Sequence, residues 1–149
     1  MRLWRISQYP GLSGIGGTLV SGRWHNAGAA VIYCADHPAL AMLEALTHMQ
    51  LQLASMPTTL KLLAIDVCED AHKATLPELP DGWQANQPTT QTIGSAWLAK
   101  ADSLLLKVPS AVLPESWNYL INPRAAQAAT QLTETLIGAI WVDPRLARA

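Results

Sequence analysis

Charge is scarce in this sequence. Lys, Arg, Asp and Glu make up 14% of its 149 residues while half of the residues are hydrophobic, against roughly 25% charged in an average globular domain. So few charges cover little surface and favour a face buried against a partner. No basic run exists either: the net charge is −1 and the pI is near 6.4. With no cation cluster to displace counterions from phosphates, direct nucleic-acid binding is not expected. Cysteine is limited to Cys34 and Cys68 without CxxC spacing, which excludes a disulfide framework and fits a reducing cytoplasm. No apolar run approaches the roughly 18 residues that span a membrane, and MRLWRISQYPG meets a proline and glycines before any run of signal length. The expectation is a soluble cytoplasmic protein of one domain, residues 1–149, burying about 70% of the surface of its unfolded chain.

Alternation in RLWRIS (residues 2–7) reads as a first strand, and the Gly-rich stretch LSGIGGTLVSGRWHNAG as a loop with short extended pieces. AVIYCA (30–35) is a compact β-branched and aromatic strand. Asp36, His37 and Pro38 then supply a helix start, a capping carboxylate followed by a proline in the first turn, for a helix from Pro38 to about Leu53. LKLLAIDV (60–67) reads as the next strand. Residues 69–90 carry four prolines or glycines (Pro77, Pro80, Gly82, Pro88) and read as a long loop. A short helix over Thr92 to Ala101 should turn Trp97 and Leu98 inward, and LLLKVPSAVL reads as a strand interrupted at Pro109, at a bulge or edge. WNYLINP ends on an Asn-Pro turn signal, Arg124 to about Thr135 reads as a last helix, and LIGAIWVDP as a final strand. The irregular alternation predicts an α+β domain with a mixed sheet and flanking helices.

Familiar motifs fail. GIGGTL (14–19) places Leu19 where a dinucleotide fingerprint needs its third glycine. There is no GxxxxGK[ST], and GLSG is not a GxSxG elbow. His25, His37, His48 and His72 fall into no HExxH or Cys/His ligand spacing, so no metal site is expected; Glu44 and His48, four apart, read as a helix-surface pair.

One carboxylate is out of place. Glu44 is the only acid between Asp36 and Asp66, set among Leu40, Met42, Leu43, Leu46 and Met49 on a core-like helix. Taken singly, Glu44 reads as a solvated helix position, Arg23 as a surface cation, Tyr33 as an ordinary strand residue and Ser110 as a turn residue. Together and in order, GRWHNAG, VIYCADHPALAMLEALTH and VPSAVLPESWNYLINP resemble the RES domain family, named for its arginine, glutamate and serine. Arg23, Glu44 and Ser110 match those positions. The lead-in LWRIS and LSGIGGTLVSGRW and the tail WVDPRL extend the resemblance over essentially the whole chain. His25 stands where asparagine is frequent, and Gly16-Gly17 where Gly-Ala is; neither departure touches Arg23, Glu44 or Ser110.

The resemblance implies a toxin of a bacterial toxin–antitoxin pair, with a fold similar to ADP-ribosyltransferases and an Xre-type DNA-binding antitoxin in a hetero-oligomeric complex. It implies cleavage of NAD⁺, as substrate and with no cofactor, at the nicotinamide–ribose bond by water or phosphate; some relatives modify proteins instead. A non-catalytic module that docks a partner is the remaining alternative. Cleaving that bond leaves positive charge on the ribose, which a fixed carboxylate, Glu44, can meet in a sheltered site. Arg23 suits the pyrophosphate, and secondly balances Glu44. Tyr33 can offer its ring face to the cationic nicotinamide. Ser110 and Asn118 supply short hydrogen-bonding groups for the ribose or amide.

Overall fold

Strand β1 (Arg2–Ser7) forms because Leu3, Arg5 and Ser7 fall on one face and Trp4 and Ile6 on the other, each with something to pack against. It belongs to a seven-stranded sheet in a computed structural model that describes residues 1–49 and 57–147. In chain order the other elements are a one-turn helix α1 (Gly16–Leu19), β2 (Ile32–Ala35), α2 (Pro38–His48), β3 (Lys61–Val67) and β4 (Lys73–Ala74). After a 3₁₀ turn at Trp83–Ala85 come α3 (Gln87–Lys100), β5 (Leu105–Pro109), β6 (Trp117–Ile121), α4 (Ala128–Gln131) and β7 (Leu132–Ala139). The sheet order is β4-β5-β6-β2-β1-β3-β7, with β4 parallel to β5 and the remaining pairs antiparallel. The fold is therefore α+β with a mixed sheet, as anticipated.

Period-two alternation sorts each strand between two layers. Ile32, Cys34, Leu105 and Ile121 join Leu3 and Ile65 on one face. Tyr33, Leu106, Val108 and Leu120 face Trp24, Trp97 and Leu98 on the other, under α3. Helix α2 lays Leu40, Ala41 and Leu43 over Trp4, Ile6 and Ala35, straddling β1 and β2.

Several boundaries differ from the sequence reading. Helix α2 is capped by His37, whose Nδ1 accepts from the Ala39 amide at 3.1 Å, rather than by Asp36, whose amide donates to the Trp117 carbonyl. The expected continuation to Leu53 lies outside the described residues. Helix α3 begins at Gln87 because Pro88 sits in its first turn, where a missing N–H costs nothing, and the Asn86 side chain accepts from the Thr89 amide. The expected helix over 124–135 shrinks to one turn; Leu132 already opens β7, since Leu132 to Leu136 pair with Val67 to Leu63. The final strand accordingly starts four residues earlier than LIGAIWVDP and stops at Ala139. The Gly-rich loop contains the helical turn α1, and WNYLI is an interior strand of the sheet. Pro109 closes β5 beyond the two residues that β4 pairs, so its absent N–H breaks no ladder.

Candidate active site

Between β1 and β2 the sheet is joined by one residue pair, Trp4 with Ala35. Beyond it the strands part, and a cavity of about 260 Å³ opens between Arg5 and Ile6 on one side and Tyr33 and Cys34 on the other. An adjoining cavity of about 360 Å³ continues toward the Gly-rich loop, sharing Arg5, Ile6, Gly22, Tyr33 and His48 with the first.

Arg23, Tyr33, Glu44 and Asn118 all line the first cavity. Ser110, 5% exposed, reaches it through Glu44. Anchoring α2 across β1 and β2 by Leu40, Ala41 and Leu43 leaves Glu44 over the opening. Its Oε1 accepts from the Ser110 hydroxyl and from Asn118 Nδ2, each at 2.7 Å. The Ser110 hydroxyl in turn accepts from the amides of Val112 (3.1 Å) and Leu113 (3.2 Å). Asn118 is itself fixed in β6, opposite Ala35 of β2 and Val108 of β5. Ser110 and Asn118 thus orient the carboxylate, a use of their polar groups that the sequence reading had directed at a ligand's ribose or amide.

Arg23 does not touch Glu44: among the described residues no ion pair within 4.0 Å joins them. Its Nη2 donates to the carbonyls of Trp83 (3.3 Å) and Gln84, and the guanidinium lies 5.5 Å from the Trp83 ring centroid. Its Nε is buried without a partner, an orphan donor of the kind that costs about 1–3 kcal/mol. Burial lowers the guanidinium pKa and the charge of Glu44 opposes that shift, so the two charges sense each other across the cavity.

The segment carrying Arg23 is stapled to α3. Thr90 Oγ1 donates to the Arg23 carbonyl at 2.6 Å, Gln91 Nε2 to the Gly22 carbonyl at 2.9 Å, and the Asn26 amide to Ser95 Oγ at 3.1 Å. A Cβ on Gly94 would run into the Trp24 carbonyl, so only glycine lets the helix approach this closely. Tyr33 is mostly buried, and burial pushes its phenol up to about 12. Its hydroxyl accepts from the Trp24 amide at 3.1 Å and lies 2.7 Å from His25 Nδ1. The phenol is occupied inside the protein, leaving the ring as what Tyr33 offers the cavity.

Sequence reasoning missed Arg5, Trp83 and His25. Arg5 and Trp83 carry no spacing signal, since topology alone brings Arg5 to the opening and Trp83 against Arg23. His25 shows in the sequence only as a polar residue in a Gly-rich segment, with no spacing that assigns it a partner. Among the described residues no group of three or more His, Cys, Asp or Glu could hold a metal ion, and no helix is long and apolar enough to cross a membrane.

A family model described as the RES domain matches residues 2–143. A curated relative from Pseudomonas putida, named Toxin Res, is 49% identical over 128 residues, covering 86% of this chain and 88% of its own. Another, from Sphingobium, named Prs ADP-ribosylating toxin, is 35% identical and covers 97% of this chain and 96% of its own. Among solved structures, the Mycobacterium tuberculosis MbcT–MbcA toxin–antitoxin complex contains a chain similar in fold, with a TM-score of 0.65 at 21% identity over 92% of this chain and 84% of that one.

Proposed function

The chain belongs to the RES domain family, and from that premise we propose that it is the toxin of a toxin–antitoxin pair, an enzyme that consumes NAD⁺ by breaking the nicotinamide–ribose bond. The carrying observation is a carboxylate held by two side chains where β1 and β2 part, with an arginine and an aromatic ring around the same cavity. As the bond breaks, nicotinamide leaves as a neutral base with the bonding electrons and the ribose carbon becomes cationic. Glu44, already oriented by Ser110 and Asn118, stabilises that charge without reorganising, which is where a preorganised group contributes most. Water or phosphate then bonds to the ribose carbon, water losing a proton, to give ADP-ribose or its phosphate ester.

Arg23 binds the pyrophosphate: a planar donor fork with an unpaired Nε suits it. The Tyr33 ring, packed from behind, is the platform for nicotinamide. Purified protein incubated with NAD⁺, with and without phosphate, should release nicotinamide together with ADP-ribose or ADP-ribose phosphate by mass analysis; intact NAD⁺ after prolonged incubation would remove the reading. The relative named for ADP-ribosylation favours one second reading, transfer of ADP-ribose to a protein. Label from NAD⁺ retained on a macromolecule would select it.

The partner proposed is an Xre-type antitoxin in a hetero-oligomeric complex in the cytoplasm. The scarcity of charge supports a covered surface, as do exposed Ile15, Leu19 and Val20 on and beside α1, of which Val20 lines the adjoining cavity. Co-expression with such an antitoxin should yield one complex by size measurement, and independent elution would exclude it.

A further inference from the structure

His25 is 2% exposed and every polar atom of its ring is engaged. Nε2 lies 3.0 Å from the Gly17 carbonyl, which can only accept, so Nε2 carries the proton. Nδ1 is then a lone-pair acceptor, 2.7 Å from the Tyr33 hydroxyl and 3.2 Å from the Gly22 amide. The Tyr33 oxygen already accepts from the Trp24 amide, so its own proton points at His25. The result is a closed circuit: Trp24 amide to Tyr33, Tyr33 to His25, His25 to Gly17.

The Gly-rich loop is wound directly onto this pair. A Cβ on Gly22 would lie 2.5 Å from the Tyr33 Oη and 3.0 Å from His25 Cε1; one on Gly17 would meet the Ala29 carbonyl at 2.6 Å and His25 Nε2 at 3.1 Å. Both glycines are needed for the loop to reach the ring nitrogens. The Gly22 amide can only donate, so an Nδ1 that keeps its lone pair is the form of the ring that satisfies all three contacts.

We propose that His25 is a positioning residue for the reaction: the neutral, Nε2-protonated imidazole accepts the Tyr33 phenolic proton and fixes the angle at which the Tyr33 ring and the Gly22 backbone line the cavity. The role rests on the NAD⁺ reading above. It acts wholly through Tyr33 and the loop, since among the described residues no hydrogen bond joins His25 to Arg23, Glu44 or Ser110.

Two measurements test it. In substrate-free protein labelled with ¹⁵N in histidine, His25 Nδ1 should resonate as an unprotonated nitrogen and shift in Tyr33→Phe; a protonated Nδ1, or one indifferent to Tyr33→Phe, overturns the circuit. In nicotinamide-release assays His25→Phe should lower kcat/KM about 10- to 100-fold. His25→Asn, whose amide oxygen can replace Nδ1 as acceptor, should stay within about 5-fold of wild type. In the Tyr33→Phe background, removing the ring nitrogens with His25→Phe should cost less than about 2-fold more, because the hydroxyl they serve is gone. Equal losses in both backgrounds overturn the positioning role while leaving the reaction intact. Should His25→Phe not fold, His25→Asn and the nitrogen shifts decide alone. Wild-type protein that releases no nicotinamide overturns the reading of the reaction, and this role with it.

Discussion

The two edges of β1 are treated differently. Toward β3 the ladder is complete, Arg2 to Ser7 pairing in register with Asp66 to Lys61 over side chains with no exposure such as Leu3, Leu63 and Ile65. Toward β2 there is one pair, and the next residues along line a cavity. The closed edge uses its hydrogen-bonding groups on the fold. The open edge leaves them, with Arg23 and Glu44, facing a space that a ligand can enter. An orphan Nε, two charges kept apart and a phenol up to about 12 all gather at the open edge, as expected where stability is given up for function.

Glu44→Gln should break the open edge most severely. It preserves an acceptor for Ser110 and Asn118 but removes the charge, and nicotinamide release should fall about 10³-fold, equivalent to about 4 kcal/mol. Thermal unfolding of the same variant should be unchanged or raised. At the closed edge Leu63→Ala should cost about 3 kcal/mol in urea unfolding, with turnover per folded molecule unaltered. A variant that behaved the opposite way in either test would dissolve the contrast.

Ser110→Ala sharpens it, because Glu44 loses one of two donors and the amides of Val112 and Leu113 lose their acceptor. Activity should drop about 10-fold while stability falls by about 1 kcal/mol. The smallest effect belongs to Asp66→Asn on β3, which deletes a bidentate but solvent-exposed pair with Arg2. Arg2 holds the Asp66 carboxyl below the usual range. Its contribution is therefore present above the unfolded-state pKa and lost as pH falls through the lowered folded value. Comparing the melting temperatures of wild type and variant should give a small difference at low salt that vanishes at high salt.

The strands and helix bordering the opening were legible because their signals are local: alternation in RLWRIS, the β-branched run before Asp36, the apolar face of PALAMLEALTH. Elements whose reason is tertiary were not. Pro88 looked like a breaker until its place at a helix start was known, and the helical spacing of 124–135 yielded to the partner that β3 offers Leu132. At the site, residue identities were readable through family resemblance, and four of the five share one cavity. What each touches was not, because Ser110 and Asn118 meet Glu44 only where β5 and β6 close on β2. His25 was hidden for the same reason: its worth depends on a hydroxyl eight positions away on a different element.

The pairing of Glu44 with Ser110 and Asn118 spans 66 and 74 positions of the chain. On a ribosome that emits the sequence from its N-terminus, the helix bearing Glu44 is finished long before either donor exists. Arg23 waits in the same way for the carbonyls of Trp83 and Gln84. A nascent polypeptide therefore carries the carboxylate without its two donors until β6 has emerged.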